Sequence, residues 1–229
     1  MELIIIILIS IITLITLSII LKIDYKKIKN IGMDEKLNTL TQKYPPNIEI
    51  CKSILKKLNN EKVKIEEDKE AKTSLYIALT DKIFIADTKE SYTRIQTMAH
   101  ECLHSIQDRR ILMFNFIFSN IYIIYFGVII LLTILNIATN SLLCLSIFLI
   151  LSMVYYMIRV FLENDAMIKA KYLAKEYMED IQISDKAEIN KIVDGFENLN
   201  NVGIKCVNYN LFSQILIKVI IFSVVALIF

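Results

Sequence analysis

The sequence predicts a mainly α-helical integral membrane protein, with about four transmembrane helices and a small α+β domain built on a short antiparallel sheet. Three observations predict it. The 229-residue chain is 55% hydrophobic with a mean hydropathy of +0.51, beyond the range of a soluble globular domain. Its apolar residues gather into blocks: residues 3–21 and 111–158 hold no charge, and residues 211–229 hold only Lys218. Between the blocks lie two polar segments, 23–110 and 163–210, each too small to enclose a core alone, so one domain must be assembled from both.

A run of ~20 apolar residues crosses the bilayer core once. The long middle block is interrupted by Asn-Ile-Ala-Thr-Asn-Ser at 136–141 and crosses twice. The expected spans are therefore about 3–21, 111–135, 142–162 and 211–229. The first block carries Glu2 and lacks a basic leader and a small-x-small site before Lys22, so it reads as an uncleaved anchor. The resulting organisation is an anchor (1–22), a polar segment (23–110), a transmembrane hairpin (111–162), a second polar segment (163–210) and a last span (211–229).

Net charge, +2, says little, but the placement of Lys and Arg says more. Lys22, Lys26, Lys27 and Lys29 follow the first span, Arg109 and Arg110 precede the second, and Arg159, Lys169, Lys171 and Lys175 follow the third. The positive-inside rule then puts the N-terminus outside a plasma (inner) membrane and both polar segments in the cytoplasm. No basic patch is interleaved with aromatics, so no nucleic-acid partner is expected. Cys51, Cys102, Cys144 and Cys206 show no CxxC spacing, and a cytoplasmic face keeps them reduced. Arg159 and Lys218 are costly in lipid and are expected to snorkel or to pair inside the bundle.

Within the first polar segment, 34–44 reads as a short helix stopped by Pro45-Pro46, and 47–59 as an amphipathic helix with Ile50, Ile54, Leu55 and Leu58 on one side. Residues 62–68, 74–80 and 82–88 read as strands, the last two closing into a hairpin at Thr80-Asp81. Such a sheet either only covers a helix or offers an open edge to an extended peptide; the sequence leaves both open. Asp87 and Glu90 resemble a capping box, which starts the next helix near Thr88. The Asn-rich stretch 198–210 reads as the loosest part of the chain.

The chain holds two histidines, and both lie in His100-Glu101-Cys102-Leu103-His104. HExxH puts two imidazoles on one helix face, i and i+4, where they can share a metal, with a glutamate placed to move a water proton. Two scattered histidines with this spacing and this glutamate arise by chance on the order of once in two thousand sequences, which separates the motif from an ordinary pattern hit. His100, His104 and Gln107 share the polar face of the predicted helix, and Ile95, Met98, Ala99, Cys102, Leu103 and Ile106 form the apolar one. Cys102 points away from both histidines and is no ligand. Catalytic zinc takes three protein ligands and keeps one position open. No third histidine exists and no cysteine has a suitable context, so a carboxylate remains. The transmembrane hairpin returns to the depth of the motif helix at about residue 162, which delivers Glu163 beside it. Asp165 is then placed to accept a hydrogen bond from a ligand imidazole. Arg94, Tyr92 and Tyr172 are the candidates for stabilising an oxyanion.

Met98–Asp108 resembles the AHEVGHAIQ segment of the putative neutral zinc metallopeptidases of the YugP type, and Leu162-Glu163-Asn164-Asp165-Ala166 with Lys169-Ala170 resembles that family's E-x-D-A-S-R-R-A segment. The order of anchor, small domain, motif helix, membrane hairpin, acidic segment and final membrane helix is also similar. The resemblance implies one Zn2+ per chain on His100, His104 and Glu163, Glu101 as catalytic acid/base, a zincin-like domain, and peptide or protein substrates that include membrane proteins. The family's glycine before the second histidine is Leu103 here, and its Ala-rich stretch before the last helix is the polar 198–210. Two other classes stand beside the endopeptidase: a membrane scaffold or interaction protein whose HExxH is a relic or a structural metal site, and a metal hydrolase acting on lipid.

Overall fold

A computed structural model of the chain describes every residue except 69–70, 72, 87–90 and 139. Among the described residues it forms eight helices and one three-stranded sheet: α1 (Glu2–Ile20), α2 (Tyr25–Gly32), α3 (Glu35–Gln42), α4 (Asn47–Lys57), β1 (Lys64–Asp68), β2 (Leu75–Ile77), β3 (Lys82–Ala86), α5 (Arg94–Ile106), α6 (Arg109–Ile134), α7 (Ser141–Ile181) and α8 (Lys186–Ile228). Four of them, α1, α6, α7 and α8, are long and apolar enough to cross a membrane.

Local chemistry explains most helix ends. Asp24 and Asp34 cap α2 and α3 by accepting the Lys27 and Leu37 amides at 2.8 and 3.1 Å. Asn140 does the same before α7, and Asp185 before α8. With only four glycines in the chain, four helices stop at other left-handed residues: Gln182 after α7 at φ 53°, and Lys22 after α1, Asn59 after α4 and Asn136 after α6 at φ 53, 53 and 55°, of which the last three share one hydrogen-bond pattern. Each of these three sits in a Schellman pair of backbone bonds, as in Ile23 N–H to Ser18 at 3.0 Å and Lys22 N–H to Ile19 at 3.1 Å.

The chain divides into two compact units. The first comprises residues 1–23, 114–161 and 205–229. It is built from the apolar parts of α1, α6, α7 and α8 around stacked Tyr122, Phe148 and Tyr155, with Phe222 fully buried. Most large side chains of α1 face outward, as a lipid-facing helix requires. The Lys218 ammonium lies 5.3 Å from the centre of the Tyr122 ring, a cation–π contact within the bundle.

The second unit comprises residues 24–113 and 162–204. Its core joins Ile50, Cys51 and Ile54 of α4, Ile83 and Ile85 of β3, and Ile95, Met98, Ala99 and Cys102 of α5 to the polar-segment halves of α7 and α8. Ala166, Ala170 and Ala174 recur every fourth residue on α7 and are all fully buried, so this helix turns a flat, small-residue face to the core. Arg94 is buried within the unit, where its guanidinium donates to the carbonyls of Thr41, Tyr44 and Pro45 and to Asn47 Oδ1 at 2.7–3.0 Å.

Several expectations are corrected. The sheet is mixed and not antiparallel: its order is β1-β3-β2, with β1 parallel and β2 antiparallel to β3. Alternation identifies strands but not partners. β3, with Ile83, Ile85 and Ala86 buried, takes the centre, and the charged Lys64-Ile65-Glu66-Glu67-Asp68 is left at an edge. The hairpin closes through 78–81, with Asp81 left-handed at φ 51°, and so β2 is only three residues long. The motif helix begins at Arg94, and residues 91–93 before it are not helical; the proposed Asp87–Glu90 capping box lies outside the described residues. By its sequence this helix can run with little or no break into the second apolar block, but Gln107 is extended at ψ 157° and Asp108 starts α6 by accepting the Arg110 amide at 2.7 Å, so the two helices are separate. The third span continues without a break through residue 181, and the Asn-rich 198–210 is helical within α8.

Candidate metal centre

α5 supplies three of the relevant side chains. Spacing i, i+4 brings His100 and His104 together with Nε2 atoms 3.0 Å apart and rings edge to face, 88° between planes. Glu163 reaches them from the start of α7's polar half, its Oε2 3.5 Å from His100 Nε2 and 3.8 Å from His104 Nε2. The three ligand atoms lie within 4.8 Å of one another, and together they could hold a metal ion. The side chains are 18, 11 and 15% exposed, so the group is shielded but not sealed.

Glu101 lies between the histidines in sequence and is 6% exposed. Its Oε2 accepts the backbone N–H of Tyr76 at 2.6 Å. Tyr76 pairs with Ile83 of β3, and because its N–H is given to Glu101, this amide points away from β3, along the open edge of β2. The edge strand of the sheet therefore borders the glutamate. Burial pushes the Glu101 carboxyl above the usual carboxylate range, opposed by the two histidines and the Tyr76 amide. For His104, burial alone would lower the pKa, but the Glu163 carboxylate and Gln107 outweigh it and raise it.

Gln107, which the sequence placed on the histidine face without a role, stands between α5 and α7. Its Oε1 is 2.8 Å from His104 Nδ1, and its Nε2 donates to the Leu162 carbonyl at 2.8 Å and to Asp165 Oδ2 at 3.3 Å. Asp165 thus meets the imidazole only through Gln107, a correction to its expected direct bond. Its other partner is the Lys169 ammonium at 2.6 Å. Burial would raise the Asp165 pKa, but the bonds from Lys169 and Gln107 hold it below the usual range.

The three oxyanion candidates are placed elsewhere. Arg94 is consumed by the four acceptors described above. Tyr92 is fully buried, donates its hydroxyl to the Gly195 carbonyl at 3.2 Å and stacks on Phe196. Tyr172 is exposed beneath the Lys171 ammonium, about 13 Å of helical rise beyond Glu163. Cys102 turns into the core, its sulfur 3.5 Å from that of Cys51. One turn before His100, Gln96 donates to Asn200 of α8 at 2.7 Å, and Asn200 donates to the Met167 carbonyl of α7 at 3.1 Å. These buried amides join the three helices around the site.

Compared with family models, with curated proteins and with solved structures, the chain matches none.

Proposed function

We propose that this chain is a membrane-anchored zinc metalloendopeptidase. The observation that carries the reading is the metal-sized gap between His100, His104 and Glu163. Tetrahedral zinc at ~2.0–2.1 Å from each ligand needs ligand atoms about 3.3 Å apart. The three separations here are 3.0, 3.5 and 3.8 Å. Two imidazoles and one carboxylate also suit zinc better than the oxygen-seeking calcium or magnesium. Zinc held there would supply Lewis acidity toward a water and a substrate carbonyl.

The chain's own residues supply the rest. Glu101 takes the proton of the attacking water and returns a proton to the leaving amine. The Tyr76 amide fixes its carboxylate by one oxygen. β2 is an edge strand whose outward N–H, that of Tyr76, is taken by Glu101, so the Tyr76 carbonyl is the backbone group it can offer an extended peptide, and this supports a peptide substrate over a lipid. Glu163 follows directly in sequence on the apolar half of α7, and Arg109 opens α6, which supports substrates that include membrane proteins. The distribution of Lys and Arg supports a cytoplasmic catalytic face and an outside N-terminus.

A scaffold with a structural zinc would close its site with a fourth protein ligand, whereas the group among the described residues has three. The test is elemental analysis of detergent-purified protein joined to a casein-cleavage assay. About one zinc per chain is expected in wild type and in Glu101→Gln, and none in His104→Ala or Glu163→Ala. Cleavage should fall by roughly 10²–10⁴-fold in Glu101→Gln with zinc retained. Full cleavage by that variant would sink the mechanism, and a wild type without zinc would sink the metal centre.

A further inference from the structure

Hydrogen-bond logic at Gln107 resolves a question that the ligand set leaves open: which nitrogen of His104 faces the metal. The Leu162 carbonyl and the Asp165 carboxylate are acceptors only, and both contact one end of the Gln107 amide, at 2.8 and 3.3 Å. That end must be the NH2 group. The other end, Oε1, is an acceptor and lies 2.8 Å from His104 Nδ1. Nδ1 must then carry a proton, and in the neutral ring Nε2 is left with its lone pair, directed at His100 Nε2 and Glu163.

We propose that Gln107 is a positioning residue that keys the His104 tautomer and ties the ligand-bearing end of α5 to the backbone of α7 one residue before Glu163. The inference rests on the metal-centre reading. Gln107 can do this because α5 ends there: its extended backbone turns the side chain out of the helical course, toward Leu162, before α6 begins at Arg109. Asp165, itself held by Lys169 at 2.6 Å, steadies the amide from the far side. The pathway Lys169–Asp165–Gln107–His104 therefore runs between two helices and controls both the ring and the distance to Glu163. A residue packed here only for shape would leave the tautomer unchanged.

The chain's two histidines make the test clean, since 15N-histidine labelling reports four ring nitrogens and no others. Full-length protein in detergent is compared with Gln107→Met, which keeps the length and loses all three bonds, and with Gln107→Glu, which keeps an acceptor for Nδ1–H but repels Leu162 and Asp165. At about pH 9, above the imidazole range, the metal-free wild type should show His104 protonated on Nδ1 alone. Gln107→Met should show mixed tautomers and bind zinc about 10–100-fold more weakly in competition with a chromophoric chelator. Gln107→Glu should keep the tautomer while zinc affinity still falls, and Gln107→Leu, which likewise lacks an acceptor for Nδ1–H, takes the place of Gln107→Met if that variant does not fold. A wild-type tautomer in Gln107→Met, whatever its zinc affinity, would overturn the proposal. A wild type that binds no zinc would instead remove the metal centre, and the metal-free spectra would still decide whether Gln107 keys the ring.

Discussion

Replacing Arg94 by methionine separates a structural role from a catalytic one. The guanidinium is 4% exposed and donates at 2.7, 3.0, 2.9 and 2.8 Å to Pro45 O, Asn47 Oδ1, Thr41 O and Tyr44 O. Hydrogen bonds from a charged donor are worth about 1.5–3 kcal/mol each, but four bonds to one group are not additive. Burying the charge costs several kcal/mol, which methionine avoids. The acceptors left behind are the decisive loss: three backbone carbonyls around Pro45-Pro46 and one amide, at about 1–3 kcal/mol each where water cannot reach. The net expectation is a loss of about 4 kcal/mol, a large share of a typical total of about 5–15 kcal/mol. For a unit of this size that lowers the midpoint by about 14 °C. Cys51 and Cys102 are both fully buried in the same unit, so maleimide capture during heating, in a Cys144→Ala, Cys206→Ala background, reads this unit alone. Arg94→Lys should fail in part, because an ammonium cannot serve four acceptors in the plane of a fork. A midpoint for Arg94→Met within about 2 °C of wild type, with cleavage nonetheless lost, would refute the reasoning and return Arg94 to the oxyanion role.

Further expectations concern the packing around the metal centre. A Cβ at Gly195 would lie 2.5 Å from Leu37 Cδ1 and 3.0 Å from the Tyr92 ring, which its hydroxyl and Phe196 hold in place. Overpacking of about 1–3 kcal/mol outweighs the helix gain of about 1 kcal/mol, so Gly195→Ala should lower the melting midpoint by several degrees, and a stabilised variant would contradict the close approach. Asn200→Ala strips Gln96 of its partner and should cost about 2 kcal/mol; unchanged amide exchange in 198–210 would show that this stretch does not depend on the contact. Cys102→Ala should bind zinc as wild type does, since the sulfur faces Cys51, and any loss of stoichiometry would reassign it. In folded protein neither Cys51 nor Cys102 should react with maleimide, and prompt labelling of either would contradict the core as described.

Periodicity and composition were enough to reveal the four long apolar helices and the shared face of His100 and His104, because both are properties of neighbours along the chain. The antiparallel return of a hairpin was enough to nominate Glu163. What sequence reading missed is long-range pairing. The parallel partnership of β1 with β3 depends on which strand is buried deepest, and alternation is silent on that. The Asn-rich 198–210 looked loose because asparagine is a poor helix former, yet Asn200 is held by Gln96, 104 positions away, and by the Met167 carbonyl. The exchange of roles between Asp165 and Gln107 turns on a two-residue break, Gln107 and Asp108, between α5 and α6. Asp108 as the cap of α6 was the legible signal for that break, but where the freed Gln107 side chain goes was not. The sequence by itself determined which residues could ligate a metal, through local spacing. Only the tertiary structure decided how they are aimed, because Gln107, which contacts His104, is itself held by hydrogen bonds to Leu162 and Asp165 more than fifty positions on, and Glu163 approaches His100 from the same distant helix.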